Sequence, residues 1–164
     1  MSDNNDINTD RFPCPEPEPE YLDTLLEQIR LVAGREERDL ELYQYLIDQT
    51  TAQPMAQQQR MITNQSVLRQ NREITRRNLE LLDEMYRELT GERLIGVRED
   101  FVTPVNYRSG LERAIFNELG DAEIYRDMLL IVPIGMLTQV IMRLYTNTMF
   151  NIDRLNFLYS RASL

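Results

Sequence analysis

Two glutamates stand where apolar residues are expected. Glu36 interrupts the run Val32, Leu40, Tyr43, and Glu118 interrupts Leu111, Ile115, Ala122, Tyr125, each run advancing by three or four residues. On a helix that spacing turns both carboxylates toward the buried face. A desolvated carboxylate costs several kcal/mol unless it is paired, hydrogen-bonded, protonated or bound to a cation. Two further apolar runs are interrupted in the same way. Leu68, Leu82, Met85 and Leu89 enclose Asn71, Thr75 and Asn78, while Leu137, Ile141, Leu144, Leu155 and Leu158 enclose Thr148 and Asn151. Such a set permits two kinds of chemistry. One is a hydrogen-bond network in which Asn78 and Asn151 donate to Glu36 and Glu118 while Thr75 and Thr148 add hydroxyls, with one proton shared. The other is an all-oxygen site for a hard cation such as calcium, magnesium or manganese.

Four helical patterns must position these residues, and strand alternation is nearly absent. The first runs from about Tyr21 to Thr50. The second begins near Pro54, whose ring suits a first helical turn, and continues to Thr90, with Gly91 placed to end it. Ser109-Gly110-Leu111-Glu112 reads as a capping box that opens the third, which stops before Pro133; the fourth spans about Ile134 to Ser160. Four long helices with a longer middle connection, 91–108, predict an all-α bundle over residues 21–164. Residues 1–20 are polar, acidic and rich in proline, and predict a disordered tail carrying the single cysteine, Cys14.

The chain also repeats itself. Glu36-x6-Tyr43 matches Glu118-x6-Tyr125, and Thr75-x2-Asn78-x7-Tyr86 matches Thr148-x2-Asn151-x7-Tyr159. Two duplicated helix pairs are the expectation. Gly34 and Gly120 lie inside helices beside the glutamates, at about 1 kcal/mol each against alanine, and predict a close helix approach or a local kink. The four tyrosines read as core aromatics with satisfied hydroxyls.

Composition narrows the partners. The 164 residues carry 18 positive and 27 acidic side chains, a net charge of -9, and every positive residue is arginine. That balance repels a phosphate backbone, so nucleic acid is not an expected partner. The most apolar stretch, 128–142, is short for a membrane span of about 20 residues and reads as a buried helix pair with its connection. The N-terminus has neither the positive start nor the apolar centre of a secretory signal, which makes the cytoplasm the expected location. The chain has no histidine, and therefore no imidazole base. A phosphate loop, a Cys-x-x-Cys pair and a nucleophile elbow are also missing from it.

At these residues the chain resembles the ferritin-like, rubrerythrin-like carboxylate bundles. The likeness covers roughly 22–159 and rests on Glu-Met-Tyr-Arg-Glu-Leu-Thr-Gly at 84–91, Ser-Gly-Leu-Glu-Arg-Ala-Ile-Phe-Asn-Glu-Leu at 109–119 and Arg-Leu-Asn-Phe-Leu-Tyr at 154–159. It implies a pair of iron or manganese ions held by one glutamate from each of two helices and a Glu-x-x-His from each of the others. Glu36 and Glu118 match the single glutamates, whereas Thr75-x-x-Asn78 and Thr148-x-x-Asn151 stand where the two Glu-x-x-His pairs belong. Four of the family's six ligands are thus replaced by neutral groups, a set that would hold iron poorly. The resulting expectation is a ferritin-like bundle with a degenerate di-iron site, acting without a cofactor as a structural or interaction protein through a protein partner or self-association. Divergent members of the family among spore-forming bacteria imply a spore-coat setting. The alternative is a ferritin-like oxidoreductase or metal-storage protein with a modified oxygen-ligand site.

Overall fold

The computed structural model describes residues 19–51 and 58–162. Within them the chain forms four helices and no strand: α1 (Pro19–Thr51), α2 (Gln58–Thr90), α3 (Tyr107–Ile131) and α4 (Met136–Arg161). Pro54, Cys14 and the expected tail up to residue 18 lie outside the described residues. α1 begins at Pro19, earlier than the sequence pattern suggests, with the proline in the first turn, where its missing N–H costs nothing.

Each helix end has a local cause. Gly91 takes a left-handed φ of 75° and returns its N–H to the Arg87 carbonyl at 2.8 Å, which closes α2. α3 starts two residues before the expected cap. Asn106 is the N-cap, accepting from the Ser109 N–H at 2.9 Å, and the Ser109 hydroxyl accepts from the Asn106 N–H at 3.1 Å. Ser109 thus closes the capping box from inside the helix rather than opening it. Val132 ends α3 with extended backbone just before Pro133, which cannot continue a helix.

The helices form a four-helix bundle. α1 packs on α2 and α3, α4 packs on the same two, and the pairs α1/α4 and α2/α3 occupy the diagonals. The connection from α2 to α3 runs along the outside of α1. The Val97 N–H donates to the Arg30 carbonyl at 2.8 Å, Arg38 pairs with Glu99, and Tyr45 donates to the Pro104 carbonyl at 3.1 Å. It therefore travels from the start of α1 toward its end and delivers α3 antiparallel to α1. Gly34 makes this possible, because a Cβ there would stand 1.7 Å from the Val97 carbonyl oxygen. The close approach predicted at Gly34 is thus to the connection, not to a helix. At Gly120 the space is filled by the Arg35 guanidinium, 3.1 Å from where a Cβ would stand.

Two apolar clusters fill the bundle, one on each side of a polar layer. One contains Leu25, Ile29, Val32, Leu82, Met128, Ile141 and Leu144; the other contains Leu42, Leu46, Leu68, Leu111, Leu155 and Leu158. No helix among the described residues is long and apolar enough to cross a membrane. The apolar stretch around Pro133 is the end of α3, a turn and the start of α4, and it is buried only in part: Met128, Val132 and Ile141 lie in the core. Leu130, Ile134 and Met136 are largely exposed, so its hydrophobicity reflects surface side chains as well as core.

Candidate functional site

Nine polar or charged residues are buried between the two apolar clusters. They are Glu36 and Asp39 from α1, Asn71, Thr75 and Asn78 from α2, Glu118 and Asp121 from α3, and Thr148 and Asn151 from α4. All six residues singled out by the sequence therefore meet in one layer. Each glutamate is met by two donors. Glu36 Oε1 accepts from Asn78 Nδ2 at 3.1 Å and from the Tyr125 hydroxyl at 2.8 Å. Glu118 Oε1 accepts from Asn151 Nδ2 at 3.0 Å and from the Tyr43 hydroxyl at 2.5 Å.

The pattern has an internal exchange. Each asparagine serves the glutamate of its own helix pair, while each tyrosine serves the glutamate of the other. Asn71 ties the arrangement to the backbone, donating to the Asn151 carbonyl at 3.1 Å and to the Tyr43 oxygen at 3.5 Å. Asn147 of α4 donates to Asn78 Oδ1 at 2.9 Å, which fixes the amide that faces Glu36. The two threonines part company. Both are buried, and the Thr148 hydroxyl makes no hydrogen bond, whereas the Thr75 hydroxyl faces Glu36 as a weak, poorly aligned donor that favours its charged form.

Two carboxylates in the layer escape a reading from stripes alone. Asp39 and Asp121 are as deeply buried as the glutamates. Asp39 Oδ1 accepts from Asn117 Nδ2 at 2.6 Å and from Arg38 at 3.2 Å, and Asp121 pairs with Arg35 at 3.4 Å without hydrogen-bond alignment. Arg35 and Arg38 also both reach Glu99 of the connection, which joins the two arginines over this side of the layer. The step through Leu40 and Ala122 passed the aspartates by, although Leu40 is only half-buried. The repeat itself carries the missing signal: Glu36-x2-Asp39-x3-Tyr43 matches Glu118-x2-Asp121-x3-Tyr125.

Burial sets the ionisation of the layer. Desolvation pushes Glu36 up to about 7 against the pull of Tyr125 and Asn78, and Asp39 up to about 6 against Arg38 and Asn117. Glu118 and Asp121 are driven well above the usual carboxylate range, first by desolvation and then by the charge of Glu36. Tyr43 and Tyr125 are raised as well, by burial and by the facing glutamates, and remain phenol donors. These titrations belong to the set rather than to single residues, because each carboxylate feels the others.

This donor set does not match a di-iron centre. Such a centre needs several carboxylate and imidazole ligands converging on about four positive charges. Among the described residues no three Asp, Glu, Cys or His side chains are arranged to hold one ion. The amide N–H groups of Asn78 and Asn151 and the two phenols already donate to Oε1 of the two glutamates. What the arrangement can do chemically is retain protons, because burial opposes the ionisation of all four carboxylates. Comparison with protein-family models, with curated proteins and with solved structures finds no match for this chain.

Proposed function

We propose that this chain is a ferritin-like bundle, built from two duplicated helix pairs, in which the di-metal site has become a proton-holding hydrogen-bond layer. Its function is structural or interactive rather than catalytic. The observation that carries this reading is the matched substitution: Asn78 and Asn151 occupy equivalent places in the two halves, and each donates to the glutamate of its own helix pair. A donor amide repels a cation and stabilises a carboxylate without one. Paired replacement on both sides preserves a buried layer while removing its affinity for iron.

A second reading draws on a different observation. Asn71 Oδ1, Asn151 Oδ1 and the hydroxyls of Thr75 and Thr148 are buried oxygens without a well-aligned hydrogen bond. Hard cations accept such ligands together with carboxylates, which favours a modified manganese, magnesium or calcium site. Metal analysis separates the two. Protein purified after growth with excess iron or manganese is expected to carry well under one ion per chain. A stoichiometric ion whose removal by a chelator lowers the melting temperature would establish the second reading instead.

A further inference from the structure

The outer face of α4 carries a stripe of large apolar side chains that no part of the described chain covers. Met142, Met149, Phe150 and Phe157 are 48%, 36%, 53% and 45% exposed, and Thr146 and Asp153, also exposed, lie between them in steps of three or four. That spacing places all six on one side of the helix.

The stripe is symmetric about its own centre. Met149 and Phe150 flank the midpoint, Met142 and Phe157 lie equally far from it on either side, and so do Thr146 and Asp153. A two-fold interface requires this property, since residue i must meet residue j while j meets i. An antiparallel copy of α4 would set Met142 against Phe157 and Met149 against Phe150, four methionine–aromatic contacts related by one axis. Charge permits the approach. α4 carries three arginines and a single acid, Asp153, within a chain of net charge -9, so this face lacks the repulsion that the rest of the surface imposes on a second copy. Arg143, one turn before Thr146 at the edge of the stripe, is placed to reach Asp153 of the other copy. Arg154 and Arg161 lie over the rings of Phe150 and Phe157 at 5.9 and 5.0 Å and border the stripe with the residue type that interfaces favour over lysine.

We infer that two copies of this chain associate through α4, antiparallel, about a two-fold axis between Met149 and Phe150. The inference goes beyond the buried layer, and it stands whether or not that layer holds a cation. The stripe extends about 22 Å at the helical rise. That length suits an interface at the low end of specific association, about 1,000 Å² in total, with a dissociation constant on the order of micromolar.

Sedimentation of the full chain from about 1 to about 200 µM is expected to show monomer passing to dimer across that range. Phe150→Arg is expected to weaken association by more than about tenfold while leaving the thermal midpoint unchanged at concentrations where the native chain is monomeric, because the ring lies outside the core. A cross-linking pair tests the direction independently of that variant. In a Cys14→Ser background, Thr146→Cys mixed with Asp153→Cys is expected to form the mixed disulfide on oxidation. Thr146→Cys alone is expected not to link, since its two copies would stand about 10 Å apart along the axis. A monomer at every concentration, a dimer indifferent to Phe150→Arg, or self-linking by Thr146→Cys would each overturn the inference. Metal analysis and mass measurement are separate readouts, so this inference and the reading of the buried layer can fail independently.

Discussion

Glu118 touches two donors through one oxygen, the Tyr43 hydroxyl and the Asn151 amide, and a glutamine carbonyl at that place can accept from both. Glu118→Gln therefore removes a desolvation penalty without orphaning a partner. Its urea midpoint at neutral pH is expected to equal or exceed that of the native chain, and a clear loss would argue that the charge itself is used. Tyr43→Phe removes a donor instead, and is expected to cost about 1–2 kcal/mol in the same measurement. At this scale the sequence was informative where a polar residue broke an apolar run, as at Glu36, Asn78 and Thr148. It was silent on Asp39 because a helix face is wider than one line of residues. It read Tyr43 and Tyr125 as core aromatics with satisfied hydroxyls but not their acceptors, because a stripe says which way a side chain points, not which helix receives its hydroxyl.

At the scale of elements, the long connection is held by contacts that only a glycine on α1 allows. Gly34→Ala would set a methyl against the Val97 carbonyl, and backbone is hard to displace. The variant is expected to lose about 2 kcal/mol or more in chemical denaturation, with faster amide exchange at Val97, whose N–H would leave the Arg30 carbonyl. Gly91→Ala meets no neighbour and faces only its left-handed φ, so its cost is expected to be smaller, about 1 kcal/mol. Helix number and most helix ends were legible because periodicity, Pro133 and Gly91 act locally. The path of residues 91–106 was not legible, since it depends on a groove that exists only once α1 is packed. Nor was the cap at Asn106, where Ser109 offered an equally good local signal one turn too late.

For the molecule as a whole, the buried carboxylates govern how stability depends on pH. Glu36 and Asp39 titrate near 7 and near 6 when folded, above the ordinary carboxylate range of about 4 in the unfolded chain. Below about pH 4 both states are protonated and the layer carries no charge penalty. As pH rises toward 7 the unfolded chain releases protons that the folded one retains, so stability falls through that window, and Glu118 and Asp121 extend the fall upward. Glu73, held low by Arg76 on the surface, acts in the opposite sense and is screened by solvent. The melting temperature is expected to drop by about 5 °C or more between about pH 5 and about pH 8, and to drop less in Glu118→Gln. An unchanged slope in that variant would place the pH dependence elsewhere. The exchange of tyrosines between the helix pairs bears on how the chain comes apart. Neither pair can satisfy its own glutamate alone, so each half would expose an under-bonded carboxylate to its neighbour's absence. The bundle should accordingly unfold in a single step, without a populated half-folded state, and its two hairpins made as separate polypeptides should gain order only when mixed.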